Sequence, residues 1–88
     1  MRANSTNDAE TLALSALAAT LTDERRARRF LDLSGIDTED LRSRAADPAV
    51  LAALLRFLEA HEPDLIDVAA AIGAKPADLV AAREELEG

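Results

Sequence analysis

Three prolines divide the second half of this chain into short segments, and their positions restrict the fold more than any other feature. Pro48, Pro63 and Pro76 each precede a stretch in which apolar residues recur with a helical period. Proline favours the first turn of a helix, because its missing N–H would have no intrahelical partner there. The sequence therefore predicts short helices that start near each proline and are joined by tight turns.

Glycines and aspartates supply the remaining boundaries. Gly35 and Gly73 each follow an apolar-periodic stretch, where a residue in the left-handed conformation would end a helix. Asp37 and Asp40 resemble an acidic capping box at a helix start. No stretch alternates with period two, so no strand is predicted. The predicted helices span residues 7–21, 23–34, 38–45, 48–61, 63–72 and 76–87.

A chain of 88 residues has room for one domain. We expect residues 1–6 to form a frayed N-terminal tail and residues 7–88 to form a single helical domain. The fold class is all-α, a compact orthogonal bundle of five to six short helices, with the last two in a helix-turn-helix-like hairpin. The 20 alanines favour helix formation and allow helix axes to approach closely.

Projection of each segment onto a helical wheel predicts which side chains are buried. The predicted helix 48–61 has the broadest apolar face and should lie at the centre of the bundle. The predicted core consists of large apolar residues on these faces: Leu17, Phe30, Leu33, Leu54, Phe57, Leu58, Val68, Ile72 and Leu79.

The first helix differs because it is apolar on two sides. One side carries Leu14, Leu17 and Leu21, and the other carries Leu12, Ala16 and Ala19. Either this helix is sandwiched between other helices, or its second face contacts a partner chain.

Composition excludes several classes of function. The chain has no cysteine, which excludes disulfides, thiolate metal sites and cysteine nucleophiles. A net charge of −7 argues against general binding to nucleic acid or anionic membranes. The apolar run 12–19 is much shorter than the roughly 18 residues that suggest a membrane span, and the residues before it are net negative, unlike a signal peptide. We expect a cytoplasmic protein.

Catalytic and metal-binding patterns are weak. His61 is the only imidazole, the serines lie in no strand-to-helix elbow, and the glycines are isolated, so neither a nucleophilic triad nor a phosphate loop is predicted. We expect no enzyme, no cofactor and no catalytic residue. His61 could ligate a metal with Glu62 and Asp64, or it could lie at a helix C-terminus. The absence of a second His or Cys ligand favours the second interpretation.

The spacing of apolar residues around Gly73 matches a helix-turn-helix motif, with Ala69 four residues before the glycine and Leu79 six residues after it. In a DNA-binding protein the last helix would enter the major groove. Residues 76–88 carry a net charge of −3, however, and only Lys75 and Arg83 could contact phosphates. A DNA-binding regulator that uses residues 63–87 is therefore an alternative that the charge disfavours.

Charge is distributed unevenly along the chain. Residues 25–58 contain seven arginines and five acidic residues, whereas residues 59–88 contain eight acidic and two basic residues. The outer edge of the second helix carries Arg25, Arg28 and Arg29, which we identify as a candidate face for a partner, since arginine makes bidentate contacts with carboxylates. The alternative is that these arginines pair within the chain, with neighbouring acidic residues or with the acidic C-terminal helices.

These observations predict a non-catalytic, small helical protein–protein interaction module. Its expected partner is another protein with an acidic surface, or a second copy of the chain in a homodimer. Nucleic acid and membranes are not expected partners.

An ordered set of motifs covers much of the chain: Arg29-Phe30-Leu31 through Arg44, then Asp47-Pro48 with Leu51, then Phe57-Leu58, and finally His61-Glu62-Pro63-Asp64-Leu65. In this order they resemble a family of short alphaproteobacterial proteins, the domain-of-unknown-function family numbered 3572, over about residues 9–86. The resemblance implies a compact cytoplasmic helical domain and brings no established activity, cofactor or site residue. It also implies an association with signalling, since members are sometimes encoded near a single-domain response regulator.

Overall fold

Six helices account for most of the chain. The computed structural model describes residues 5–88, with side chains from residue 8 onward. The helices are α1 (Ser5–Leu21), α2 (Glu24–Ser34), α3 (Thr38–Ser43), α4 (Pro48–Glu59), α5 (Glu62–Ala71) and α6 (Pro76–Glu87). All six predicted helices are present with ends close to those expected, and residues 5–88 contain no strand, so the all-α fold class is confirmed. Residues 5 and 6 of the predicted tail belong to α1, and residues 1–4 lie outside the described residues.

Aspartates and prolines start the helices. Asp23, Asp37 and Asp47 each accept a hydrogen bond from a backbone N–H in the first turn of α2, α3 and α4, at 3.1, 2.8 and 2.9 Å respectively. Each carboxylate thereby satisfies a donor that has no partner inside the helix. Pro48 and Pro76 are the first residues of α4 and α6, whereas Pro63 is the second residue of α5.

Two glycines end helices as expected. Gly35 follows α2 with φ 74°, and Gly73 follows α5 with φ 73°. This left-handed conformation is costly for residues with a Cβ atom, so glycine is the residue that allows the chain to reverse there. The turn at Gly35 directs the chain away from α2 toward α3, and the turn at Gly73 leads into α6.

The core is built around α4, as the sequence predicted. This helix packs most extensively against α6 and α1 and also contacts α5 and α2. Its fully buried leucines pack against α1, where the facing side chains are mostly small. The buried side chains of α1 are Ala9, Ala13, Ala16, Leu17 and Thr20. The Thr20 hydroxyl is satisfied because it donates to the Ala16 carbonyl at 2.8 Å.

Six of the nine predicted core residues are buried, and three are not. The prediction for Leu33 is wrong, since this residue is 77% exposed. α2 packs on the core through Phe30 and Leu31, whereas the Leu33 side chain lies at the surface beside α4 and is not covered. Phe57 and Ile72 are partly buried and pack at the edge of the core.

The structure also shows which residues of the first helix are buried. Its alanine-rich side faces the core, because small side chains allow close approach to α4 and α6. Leu14 and Leu21 on the other side are 38% and 41% exposed. Leu17, which the sequence groups with them, is buried, so residues from both sides of α1 enter the core and this helix packs against α2, α4, α5 and α6. This arrangement agrees with the alternative in which α1 is sandwiched between other helices.

The radius of gyration is 12.0 Å, which matches the value of about 12 Å expected for a single domain of this length. Among the described residues, every helix is too short or too polar to cross a membrane.

Candidate functional site

Two neighbouring stripes of side chains run along α2. Arg26 and Phe30 lie one turn apart on the side that faces the core, and Arg25, Arg29 and Leu33 form the adjacent stripe at four-residue spacing. Phe30 is buried, whereas Arg25 and Leu33 are exposed. The boundary between core and surface therefore follows the length of α2, between these two stripes.

Asp64 is a buried carboxylate in the first turn of α5 and is 3% exposed. Arg26 Nε donates to its Oδ1 at 2.9 Å, and Arg29 Nη2 donates to its Oδ2 at 2.7 Å. His61 Nδ1 lies 3.1 Å from the same Oδ2, and Arg26 Nη2 donates to Asp67 Oδ2 at 3.3 Å. We call these five residues the Asp64 cluster. The two arginines balance the negative charge of Asp64, which would otherwise be costly to bury. The cluster also links α2 to α5.

The cluster also determines the ionisation of Asp64. Burial alone would raise the pKa of this carboxyl group, but the hydrogen bonds from Arg26 and Arg29 outweigh burial and hold the pKa below its ordinary value of 3.8. Asp64 is therefore ionised at neutral pH. The positive guanidinium groups and the negative carboxylate compensate each other at the α2–α5 junction.

The candidate partner face divides into two parts. Arg29 pairs with Asp64, which agrees with the alternative that the arginines pair with the acidic C-terminal helices. Arg25 and Arg28 are exposed and make no ion pair with any side chain of residues 8–88. Two of the three predicted arginines thus face solvent, and the third is held at the edge of the Asp64 cluster.

Sequence reasoning gave Arg26 no role and considered Asp64 only as a hypothetical metal ligand, so it missed the ion pair between them. Two signals in the sequence could have identified them. Arg26 precedes Phe30 by four residues, and Asp64 precedes Val68 by four residues, so each lies on the same helix face as a core residue. A charged residue on a buried face requires a partner of opposite charge, and each of these two residues is the partner of the other.

A groove of about 520 Å³ lies between the second half of α2 and α4. Its apolar surface comes from Phe30, Leu33, Ala53, Phe57 and Ala60. Positively charged or titratable side chains border this surface, namely Arg29, Arg56 and His61. We call it the α2–α4 groove. It brings the exposed Leu33 and the partly buried Phe57 together beside the arginines of α2.

Phe57 forms the floor of this groove and is held in place from two sides. Its ring contacts the Phe30 ring edge to face, with centroids 5.4 Å apart and planes at 60°. The Arg29 guanidinium carbon lies 5.5 Å from the centroid of the Phe57 ring, which is within the range of a cation–π contact. Arg29 therefore contacts both Asp64 and Phe57, and its position is fixed before any ligand binds.

Arg83, one of the two cations of the helix-turn-helix-like hairpin, is engaged in ion pairs. Arg83 Nε donates to Glu59 at 2.7 Å, and Arg83 Nη1 donates to Glu87 at 2.9 Å. Glu87 also accepts from Arg56 Nη2 at 2.9 Å. We call these four residues the α4–α6 cluster. Hydrogen bonds that Arg83 and Arg56 donate to the carboxylates raise the pKa values of both arginines, and the same bonds lower the pKa of Glu87.

The surface around α6 is acidic. A second groove, of about 290 Å³, lies between α1 and α6, and its charged side chains are Asp8, Asp78 and Glu85. A carboxylate-lined surface repels phosphates. Lys75 is the cation of the hairpin that makes no ion pair among the described side chains. This geometry gives the DNA-binding alternative no positive surface on α6.

His61 lies beside the Asp64 cluster at the border of the groove. Within residues 8–88, no three His, Asp or Glu side chains are arranged so that they could hold a metal ion. The Asp64 carboxylate, with which His61 was grouped as a hypothetical ligand set, instead accepts hydrogen bonds from two arginines.

Comparison with known proteins gives a family. The model of DUF3572, described as a protein of unknown function, matches residues 6–88. No curated protein and no solved structure matches the chain.

Proposed function

The chain belongs to the DUF3572 family, and we propose that it is a non-catalytic module that binds a partner protein through the α2–α4 groove. The family description names no activity, so the proposal depends on the surface of this chain. We place the module in the cytoplasm and assign it a regulatory or signalling-associated role.

The observation that carries the proposal is the exposure of Leu33 beside the groove. It is the most exposed large apolar residue among the described side chains, at 77%. Burial of a leucine contributes about 1.5–3 kcal/mol, so a partner that covers Leu33 gains a substantial part of its affinity from this contact. The neighbouring Phe57 ring, which is only partly buried, extends the same apolar surface.

The charge around the groove supports an acidic partner. Arg25 and Arg28 on α2 face solvent, although the chain as a whole carries a net charge of −7. Complementary charge increases the rate of association and excludes partners of the wrong charge. A partner with an acidic surface fits this part of the molecule better than it fits the α1–α6 side.

The polar groups of the groove support a binding role more than a catalytic one. Ser34 Oγ donates to the Leu31 carbonyl and accepts from the Ile36 N–H, at 3.4 and 3.2 Å. His61 is oriented toward Asp64 and not toward this hydroxyl. Among the described residues, the groove therefore holds no hydroxyl paired with a base, which nucleophilic catalysis would require.

The test uses affinity purification from a lysate of an alphaproteobacterial host, the expected source of the chain, with quantification of the bound proteins by mass spectrometry. The variant is Leu33→Asp, which places a charge at the groove. The matched control is Leu21→Asp, which places the same charge at an exposed leucine of α1 that is far from the groove in sequence. Circular dichroism verifies that both variants keep the helical content of the wild type.

We expect a bound protein that the wild type and Leu21→Asp recover equally. Leu33→Asp should recover at least about tenfold less, because tenfold corresponds to 1.4 kcal/mol and burial of leucine contributes more. Equal recovery by Leu33→Asp would contradict the proposal, as would a lysate in which no protein binds the wild type above the level of bare resin.

A further inference from the structure

We infer that the segment of the partner that occupies the α2–α4 groove is an amphipathic α-helix, with one large apolar residue flanked at one-turn and two-turn spacing by acidic residues. This inference rests on the proposed function, since it specifies which kind of partner segment the same groove accepts. It follows from the architecture, from the spacing along α2 and from the position of Arg29.

The architecture favours a helical ligand. One common class of extended peptide binds by adding a strand to the edge of a sheet, and residues 5–88 contain no strand that could offer such an edge. The groove is instead formed by two helices, α2 and α4, and its floor is apolar. An amphipathic helix that places its apolar face in a groove between helices is the recognition mode that suits this surface.

The spacing along α2 defines the pattern of the ligand. Arg25, Arg29 and Leu33 follow each other at four-residue intervals on one stripe, which places them about 6 Å apart along the helix axis. A second helix that lies along this stripe has the same rise per residue, so its side chains recur at the same intervals. A ligand helix with an apolar residue over Leu33 therefore places residues one and two turns away near Arg29 and Arg25.

Arg29 is oriented so that it can bind a carboxylate of a ligand. Its Nη2 donates to Asp64, and its guanidinium carbon lies over the Phe57 ring. Its Nε and Nη1 groups donate to no acceptor among the described residues, and its side chain is 44% exposed. An arginine whose orientation is already fixed loses little conformational freedom on binding. A ligand carboxylate beside Phe57 can therefore pair with Arg29 while the ligand's apolar residue contacts Phe57 and Leu33.

Arg25 and Arg28 extend the positive surface beyond the groove. Both are exposed and make no ion pair with the described side chains. Arg25 is on the stripe of Arg29, so it receives the second acidic residue of the ligand. Arg28 lies nearby on the outer side of α2 and adds to the positive potential that attracts the ligand.

The experiment selects ligands from random sequences, so the natural partner need not be identified first. A phage-displayed library of random peptides of about 16 residues, long enough for about four helical turns, is selected against the full chain. Bound phage are counter-selected against the Leu33→Asp variant. Enriched peptides are synthesised, and their affinities for the wild type, for Leu33→Asp and for the Arg25→Glu/Arg28→Glu double variant are measured.

The expected result is a consensus with a large apolar residue and acidic residues three to four and seven to eight positions away. Replacement of the acidic residues by glutamine should weaken binding about 5- to 10-fold at low salt. A proline in the middle of the peptide should weaken binding about 100-fold, because it breaks the ligand helix. The Arg25→Glu/Arg28→Glu variant should also bind more weakly, whereas Arg42→Glu, a control at an exposed arginine of α3, should bind normally.

Other results separate the two proposals. Some peptides could depend on Leu33 for binding and yet bind equally well with glutamine in place of the acidic residues and with proline in the middle. This result would overturn the inference that the ligand is an acidic helix, but the groove would remain a docking site. A library in which no enriched peptide depends on Leu33 overturns the docking site itself. Light scattering tests a second copy as the occupant, and a dimer that Leu33→Asp dissociates would overturn the inference, because the chain would then cover its own groove.

Discussion

The Asp64 cluster and the α4–α6 cluster use the same chemistry in different surroundings. In each, one arginine bridges two carboxylates: Arg26 bonds Asp64 and Asp67 on α5, and Arg83 bonds Glu59 on α4 and Glu87 on its own helix. The two arginines are nearly equally exposed, at 13% for the Arg26 side chain and 16% for Arg83. The carboxylates differ. The Asp64 side chain is 5% exposed and its neighbour Asp67 is 66% exposed, whereas Glu59 and Glu87 are 23% and 30% exposed, so only the Asp64 cluster contains a buried carboxylate.

This difference shows that the environment of the acceptor decides what an ion pair contributes. When Arg83 is removed, both glutamates can be solvated by water, so little is lost. When Arg26 is removed, a buried carboxylate loses a donor that water cannot easily replace. The α4–α6 cluster therefore adds to a contact that apolar packing already maintains, whereas we expect the Asp64 cluster to contribute more to the contact between α2 and α5.

Among substitutions in the two clusters, the largest expected effect comes from Arg26→Met, which preserves much of the side-chain volume and removes the charge. We expect a loss of about 2–3 kcal/mol in the free energy of unfolding, because Asp64 keeps Arg29 and His61 as neighbours but loses its Nε donor. Urea unfolding at neutral pH and low salt, followed by circular dichroism, measures the change.

Arg83→Met is the matched control for this measurement. It removes an arginine of nearly equal exposure that also bonds two carboxylates, and we expect a clearly smaller loss of stability. If the two variants are equally destabilised, acceptor burial does not explain the difference between the clusters.

A second comparison uses pH to test the buried carboxylate directly. The pKa of Asp64 is lowered in the folded state, so the folded state favours the ionised form. The stability that this provides is fully present above the unfolded pKa, near 3.8, and is lost as the pH falls through the lower folded pKa. Asp64→Asn should therefore be less stable than the wild type by about 1–2 kcal/mol at pH 7.

Urea unfolding of the wild type and Asp64→Asn at intervals from pH 7 to pH 2.5 would show this dependence. The two stabilities should converge as the pH falls below about 4. A difference that stays constant over the whole range would mean that Asp64 contributes through its shape or its neutral hydrogen bonds and not through its charge.

Local signals predicted the helices of this fold. Asp37 and Asp47 cap helices through hydrogen bonds to backbone atoms two or three residues away, and Pro48 restricts its own φ angle. The left-handed turns at Gly35 and Gly73 are equally local. All of these features depend on neighbouring residues, so the sequence is sufficient to place the helix boundaries within a few residues.

The candidate site depended on tertiary packing that the sequence did not define. Leu33 shares a helix face with Phe30, and only the position of α4 decides that Phe30 is covered and Leu33 is not. The pairing of Arg26 with Asp64 joins residues 38 positions apart. The arginine face was predicted from the distribution of charge along the chain and the helical wheel of the second helix, whereas the contact between Arg29 and Phe57 depends on the positions of both α2 and α4.

The salt dependence of the free energy of unfolding is a further way to compare the two clusters, with a smaller expected effect. At about 1 M NaCl the Debye length falls to about 3 Å, which screens exposed charges much more than buried ones. We expect the stability difference between the wild type and Arg83→Met to disappear at this salt concentration. The difference for Arg26→Met should remain. Loss of both differences in salt would indicate that the Asp64 cluster is as accessible to solvent as the α4–α6 cluster.

The smallest effect is expected at Leu33, where the Asp64 cluster and Phe30 already hold α2 in place. Leu33→Ser should change the free energy of unfolding by no more than about 0.5 kcal/mol, since the side chain is largely exposed. Leu54→Ala, at a fully buried position of α4, serves as the contrasting variant and should cost about 2–5 kcal/mol. Urea unfolding of the two variants in parallel gives both values. A large loss for Leu33→Ser would mean that the last turn of α2 is buried against the domain, in which case the groove is closed and the surface proposed for a partner does not exist.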